Sequence, residues 1–185
     1  MNARQRSPWL ARILAKSPSP TPAPAPRVPV ELPTPLTRDR VGAYLTRRGY
    51  TYRLDEDGDI TGTWDGNRFW FLLLGTKQEI LQVRGRWHRP LPDSGRLAAL
   101  QIINDWNRER IWPKAYLRSE PTGLALYTEV SVDFSPGATK DQLEQMVACG
   151  LGTSIQLFTS VSALLPPDNP DDLEGMDDNG AFGED

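Results

Sequence analysis

Residues 68–87 read RFWFLLLGTKQEILQVRGRW, and the way this stretch divides decides the fold. The run Phe69-Trp70-Phe71-Leu72-Leu73-Leu74 is apolar at every position, as expected of a strand covered on both faces near the middle of a sheet. From Ile80 to Trp87 the pattern changes. Leu81, Val83 and Trp87 fall on one face while Gln82, Arg84 and Arg86 fall on the other, the period of two that marks a strand buried on one side.

Working upstream, Asp65-Gly66-Asn67 forms a tight turn before the run, and Ile60, Gly62 and Trp64 alternate with threonines. The turn Asp55-Glu56-Asp57-Gly58-Asp59 joins these to Tyr50, Tyr52 and Leu54, which alternate in their turn. Four antiparallel strands in sequence make a meander. A helix over 37–48 precedes it, with Thr37 as N-cap, Val41, Tyr44 and Leu45 at helical spacing, and Gly49 as a left-handed stop.

Downstream, Pro90 and Pro92 close the meander. Asp93 or Ser94 caps a second helix whose expected stripe is Leu97, Leu100, Ile103 and Trp106 or Asn107, and Pro113 stops it. Ala115 to Arg118 and Gly123 to Asp133 form another hairpin. In its second strand Leu124, Leu126, Thr128, Val130 and Val132 share one face, and Tyr127, Glu129 and Ser131 the other. From the Thr139 cap, Leu143, Met146, Val147, Leu151, Ile155, Phe158 and Val161 predict a helix over 140–164. The order α-β-β-β-β-α-β-β-α is an α+β layout: a twisted antiparallel sheet with three main helices covering one face.

The chain has 185 residues, 21 Lys+Arg and 24 Asp+Glu, for a formal net charge of -3. That charge is segregated. Residues 1–35 carry five bases, one acid and nine of the 17 prolines, and read as a disordered basic arm with an extended proline spacer. Residues 166–185 carry eight acids and no base, and read as a disordered acidic tail. Residues 36–165, with 16 bases against 15 acids, form the folded domain. Trp9 to Ala15 is too short to span a bilayer and is interrupted by Arg12, so no transmembrane segment or signal peptide is expected and the protein is read as cytoplasmic. Residues 9–16 allow at most a weak contact with a membrane surface.

One Cys and one His exclude a disulfide framework and a Cys/His zinc site within one chain. The 55–59 acids lack the spacing of a calcium loop and are read as turn formers. Arg84-Gly85-Arg86-Trp87-His88-Arg89 is the densest basic and aromatic cluster, suited to a phosphate and a stacked base or, more simply, to a charged strand edge. Nucleic acid is not the expected partner, because the folded region is nearly neutral. Gly150-Leu151-Gly152 is either a notch for close approach of another helix or a break in the final one. No paired acid and base, activated nucleophile, metal site or cofactor motif is present in the pattern, so the protein is not expected to be an enzyme or to need a cofactor. The six tryptophans exceed what one small core needs. Trp64, Trp70, Trp87 and Trp112, with Arg84 and Arg86, are therefore candidate interaction residues.

Three motifs point to a family. Ile103-Asn104-Asp105-Trp106-Asn107, then Trp112-Pro113-Lys114-Ala115-Tyr116-Leu117, then Leu126 to Asp133 leading into Thr139-Lys140-Asp141-Gln142-Leu143 resemble the YbjN family of bacterial proteins over most of residues 37–165. The resemblance implies a regulator of sensory transduction with the fold of type III secretion chaperones, usually dimeric, and carries no catalytic residues. Asn104, Trp106 and Asn107 are then structural: the amides hold the helix end and Trp106 anchors it. The resulting expectation is a non-enzymatic regulatory or chaperone-like domain, dimeric with itself or a similar domain, that binds another polypeptide. The alternative is a regulator that binds nucleic acid or a phosphorylated ligand through Arg84, Arg86, Trp87 and Arg89.

Overall fold

A computed structural model describes residues 31–164; the expectations for residues 1–30 and 165–185 lie outside the described residues. Helix α1 spans Arg38–Arg47 because its two ends are chemically defined. The extended Thr37 accepts a hydrogen bond from the Arg40 amide through its hydroxyl. At the other end Gly49 adopts φ +73°, its amide donates to Thr46, and the Tyr50 amide donates to Leu45. This paired arrangement satisfies the last free carbonyls of the helix.

Strands β1 (Arg53–Leu54), β2 (Ile60–Trp64), β3 (Asn67–Leu74) and β4 (Ile80–Arg86) form the expected meander. β1 is shorter than the alternation of Tyr50 to Leu54 predicts, because only Arg53 and Leu54 pair with β2. Tyr50 and Tyr52 instead pack on the core. The Asp55 carboxylate accepts from the amides of Asp57 and Asp59, which makes it a turn former. Between β2 and β3, Asp65 and Gly66 both have positive φ, the geometry of a two-residue hairpin turn whose twist suits the flanking strands.

A single turn at Asp93–Gly95 leads into α2 (Arg96–Glu109), followed by β5 (Lys114–Glu120), β6 (Gly123–Asp133) and α3 (Lys140–Leu164). The sheet order is β1-β2-β3-β4-β6-β5, with every pairing antiparallel. β6 therefore lies between β4 and the edge strand β5. All three helices lie on one face, so the fold is α+β as the pattern predicts.

The core forms between that face and α3. Phe69, Phe71, Leu81, Val83, Leu124 and Leu126 meet Leu143, Val147, Leu157 and Phe158. Gly150 lies where an added Cβ would stand 2.6 Å from Val83. The notch thus admits strand β4, not a second helix, and α3 continues through it unbroken. Gly85 makes room on the facing strand, where a Cβ would meet Thr128, Phe69 and Phe158. By length and composition α3 could cross a membrane, but its buried side lies on this sheet.

Two other expectations are corrected. In α2 the buried stripe is Ala99, Ile103 and Trp106, while Leu97 is 80% exposed and Leu100 37%. The helix is rotated so that the small Ala99 faces inward and allows close approach. At the N-terminal boundary, residues 31–35 are attached to the domain. Thr34 exchanges backbone hydrogen bonds with Ala138, and the Glu31 carboxylate accepts a hydrogen bond from the Lys140 amide.

Candidate functional site

The alternation that turns apolar side chains toward the helices turns a second set toward the helix-free face. One cross-strand row runs Arg53, Thr61, Trp70, Arg84, Glu129 and Lys114, and the next runs Thr63, Arg68, Arg86, Tyr127 and Tyr116. Of the charged strand residues that the register places on this face, Arg53, Arg68, Arg84, Arg86, Lys114 and Arg118 are basic, and Glu120, Glu129 and Asp133 are acidic.

Two hydrogen-bonded networks order this face. In the first, Arg84 donates to Glu129 at 3.1 Å and to Gln82 at 2.8 Å, Gln82 donates to Ser131 at 3.0 Å, and the Tyr116 hydroxyl donates to Glu129. In the second, Arg86 donates to Glu120 through two nitrogens, at 3.2 and 2.6 Å, and the Tyr127 hydroxyl donates to Glu120 at 2.6 Å. Tyr116 and Tyr127 stack with ring centroids 5.7 Å apart and so tie the networks together.

Charge and proton positions follow from these partners. The hydrogen bond from Arg86, then that from Tyr127, holds the Glu120 carboxyl down to about 2. Burial first, and the Glu129 hydrogen bond second, pushes the Tyr116 phenol up; burial and Glu120 do the same for Tyr127. Both phenols stay protonated donors and Glu120 stays ionised at neutral pH. Neither the phenols nor Glu120 are therefore poised to exchange a proton near pH 7, which suits recognition better than acid–base work.

Arg68 lies 5.0 Å from the Trp70 ring centroid and Arg118 lies 5.3 Å from that of Tyr127. Neither makes an ion pair among the described residues. Beside Arg118 is a recess of about 420 Å³ floored by Trp70, Leu72, Leu74 and Tyr127. Arg84 and Arg118 line it, as do Asp55, Asp57 and Asp59 of the β1–β2 turn. An aromatic floor ringed by two arginines and three aspartates suits a peptide carrying apolar side chains together with charges of both signs.

The model of the YbjN family, described as "Putative bacterial sensory transduction regulator", matches residues 37–163. The chain belongs to the YbjN family. A crystal structure of YbjN from E. coli, described as "a putative transcription regulator", is similar with a TM-score of 0.61 at 15% identity, over 72% of this chain and 99% of that one. At that identity the likeness shows the shared YbjN fold. No curated protein matches the chain. The YbjN family is thus described as regulatory.

Within this YbjN domain the sequence candidates separate. Trp87 is 0% exposed on the helix-covered face, with Arg89 over its ring at 5.1 Å. It cannot stack on an incoming base. Arg84 and Arg86 point to the opposite face and are ion-paired, so Arg84, Arg86, Trp87 and Arg89 do not form one binding surface. Trp64 packs edge-on against Tyr50, Phe69 and Phe71 and belongs to the core. Trp70 is on the open face, and Trp112 is 37% exposed at the corner between α2 and β5.

Of the motif residues, Trp106 is buried and Asn107 exchanges hydrogen bonds with Ala115, while Asn104 is exposed. His88 is also structural: its amide donates to Asn67 and its ring lies against Trp87. Sequence reasoning missed Tyr116, Arg118, Glu120, Tyr127 and Glu129 as a group. The shared face of Tyr127 and Glu129 is visible in the alternation of β6, but their partners on β4 and β5 appear only through pairing.

Proposed function

We propose that this YbjN-family domain is a non-enzymatic, chaperone-like regulator that binds another polypeptide on the helix-free face of its sheet. The observation that carries the reading is Trp70 and Tyr127 flooring a recess beside Arg118, a cation with no ion-pair partner among the described residues. Such rings provide apolar area at low entropic cost, and the arginines and aspartates around them pair with charged side chains of the partner. The Glu120 and Glu129 networks keep the platform rigid, so little ordering energy is lost on binding.

Self-association is the second part of the proposal. Leu97, Ile111 and Trp112 are 80%, 89% and 37% exposed at and beside α2, an apolar set that a second copy or a similar domain would cover. Nucleic acid fits this domain less well, because residues 36–165, with 16 bases against 15 acids, lack a broad positive field.

The test is a crosslinking pull-down from native cells with the full chain and with Trp70→Ala and Arg118→Glu. The expected result is one partner captured by the parent and lost with either substitution. Capture that ignores both, or salt-dependent binding of nucleic acid in a mobility-shift assay, would overturn the reading. Light scattering at tens of micromolar checks self-association: a dimer is expected, and Leu97→Glu with Ile111→Glu should make it a monomer.

A further inference from the structure

The charges around the open-face recess are sorted by strand. Asp55, Asp57 and Asp59 all come from the β1–β2 turn, whereas Arg84 is on β4 and Arg118 on β5. Between the two groups the floor is apolar, with Trp70 half-buried and Leu74 39% exposed. The sheet order β1-β2-β3-β4-β6-β5 therefore gives the recess an acidic wall on one side and a basic wall on the other.

Pairing with neighbours leaves one accessible charge of each sign. Asp59 pairs with Arg38 of α1 at 3.3 Å, and the Asp55 carboxylate accepts from two amides of its own turn. Asp57 is exposed, and its carboxylate has no hydrogen bond or ion pair among the described residues. Arg53 and Arg68 share an adjoining depression with Asp55, Glu56 and Asp57, three acids to two bases, so the turn keeps its acidic sign. Across the floor Arg84 is paired with Glu129 at 3.1 Å, while Arg118 has the Tyr127 ring under its guanidinium and no ion pair among the described residues.

We propose that the recess selects its partner by charge order. The partner is a polypeptide segment with a base at one end, an apolar and aromatic stretch in the middle and an acid at the other end. It lies across the strands with its base on the β1–β2 turn and its acid on Arg118. The inference rests on the polypeptide-binding reading above and names the partner class. Two strand spacings separate β2 from the strand of Arg84 and four from that of Arg118, about 10 and 19 Å at about 4.8 Å per spacing. An extended segment covers those distances in roughly three to six residues, which sets the separation of base and acid. A segment with one sign at both ends meets a repelling wall whichever way it lies.

Three acetylated and amidated peptides with a shared core test this against the full chain: KKLSFLEE, KKLSFLKK and EELSFLEE, each fluorescently labelled and followed by anisotropy at low salt. The mixed peptide should bind about threefold or more tighter than the other two, the worth of one exposed ion pair. Trp70→Ala should weaken it by about tenfold, as expected of an aromatic anchor. Arg118→Glu makes both walls acidic, and KKLSFLKK should then bind best. Asp57→Lys weakens the acidic wall, and EELSFLEE should gain. The double variant Asp57→Lys, Arg118→Glu keeps the net charge of the parent and should prefer KKLSFLEE again, lying in the opposite sense. Both positions are exposed, and an unchanged thermal melt shows that each variant folds.

Tightest binding of KKLSFLKK by the parent would mean that overall charge governs, and would overturn the proposal. So would an order unchanged by the single substitutions, a double variant that does not return to the mixed peptide, or no binding of any peptide at millimolar concentration. Equal binding of all three that is lost with Trp70→Ala overturns the charge order and leaves the polypeptide-binding reading standing. That reading fails separately, when partner capture from cells ignores Trp70→Ala.

Discussion

The Asn107 side chain pairs with the Ala115 backbone in both directions: its amide donates to the Ala115 carbonyl and its carbonyl accepts from the Ala115 amide, each at 2.9 Å. It thereby acts as one residue of a missing strand beside the first residues of β5. The pairing fixes where the α2 turn ends and where the edge strand carrying Lys114, Tyr116 and Arg118 begins. Asn107→Ala should cost about 1–3 kcal/mol, because two backbone groups lose their partners together. Urea denaturation reads this as a lower midpoint with an unchanged slope.

The two glycines of α3 should respond in opposite directions. Gly150→Ala places a Cβ 2.6 Å from Val83 and should destabilise by about 1–3 kcal/mol. Gly152 has nothing within 4 Å of an added Cβ, and Gly152→Ala should stabilise by up to about 1 kcal/mol through helix propensity. Thermal melts of the two single variants test both signs. A stabilised Gly150→Ala would mean that α3 does not approach β4 this closely.

Glu120 links the open face to pH. Its folded value, about 2, lies below the ordinary 4.5, so its contribution is fully present above the ordinary value and is lost as pH falls toward 2. Glu120→Gln should therefore cost on the order of 1 kcal/mol at neutral pH, since the pair is partly solvated. The gap between parent and variant should close between pH 5 and 2. Denaturation midpoints across that window are the measurement, and a constant gap would show that the Arg86 and Tyr127 contacts do not depress the carboxyl.

Beneath the sheet, Thr128 donates to Ser154 at 2.8 Å, and both residues are buried. Ser154→Ala alone should cost about 1–3 kcal/mol by leaving the Thr128 hydroxyl without its partner. The pair Thr128→Val, Ser154→Ala should cost less than the sum of the single changes, because no unpaired group remains. A double-mutant cycle in urea measures the difference.

Much of the architecture was legible from local chemistry. The Thr37 cap, the Gly49 stop, the Asp65-Gly66 turn and the Thr139 start of α3 each depend on groups within a few residues, and all appear where the pattern predicts them. Trp87 shows the limit. Its place in a basic, aromatic hexapeptide suggested a binding surface, yet the alternation in β4 already put it on the face opposite Arg84 and Arg86.

By itself the sequence determined the helices, the strands, the face to which each strand residue points and the family to which the chain belongs. These follow from periods of two and 3.6, from caps and turns, and from a motif, all encoded over short separations. Only the tertiary structure decided that β6 inserts between β4 and β5, the step that brings Arg84 to Glu129, Arg86 to Glu120, and Tyr116 onto Tyr127. Strand pairing across dozens of residues is chosen by how the whole core packs, through contacts such as Gly150 on Val83, and no local pattern records it. The candidate site is made of such pairings, so it becomes visible only once the sheet is assembled.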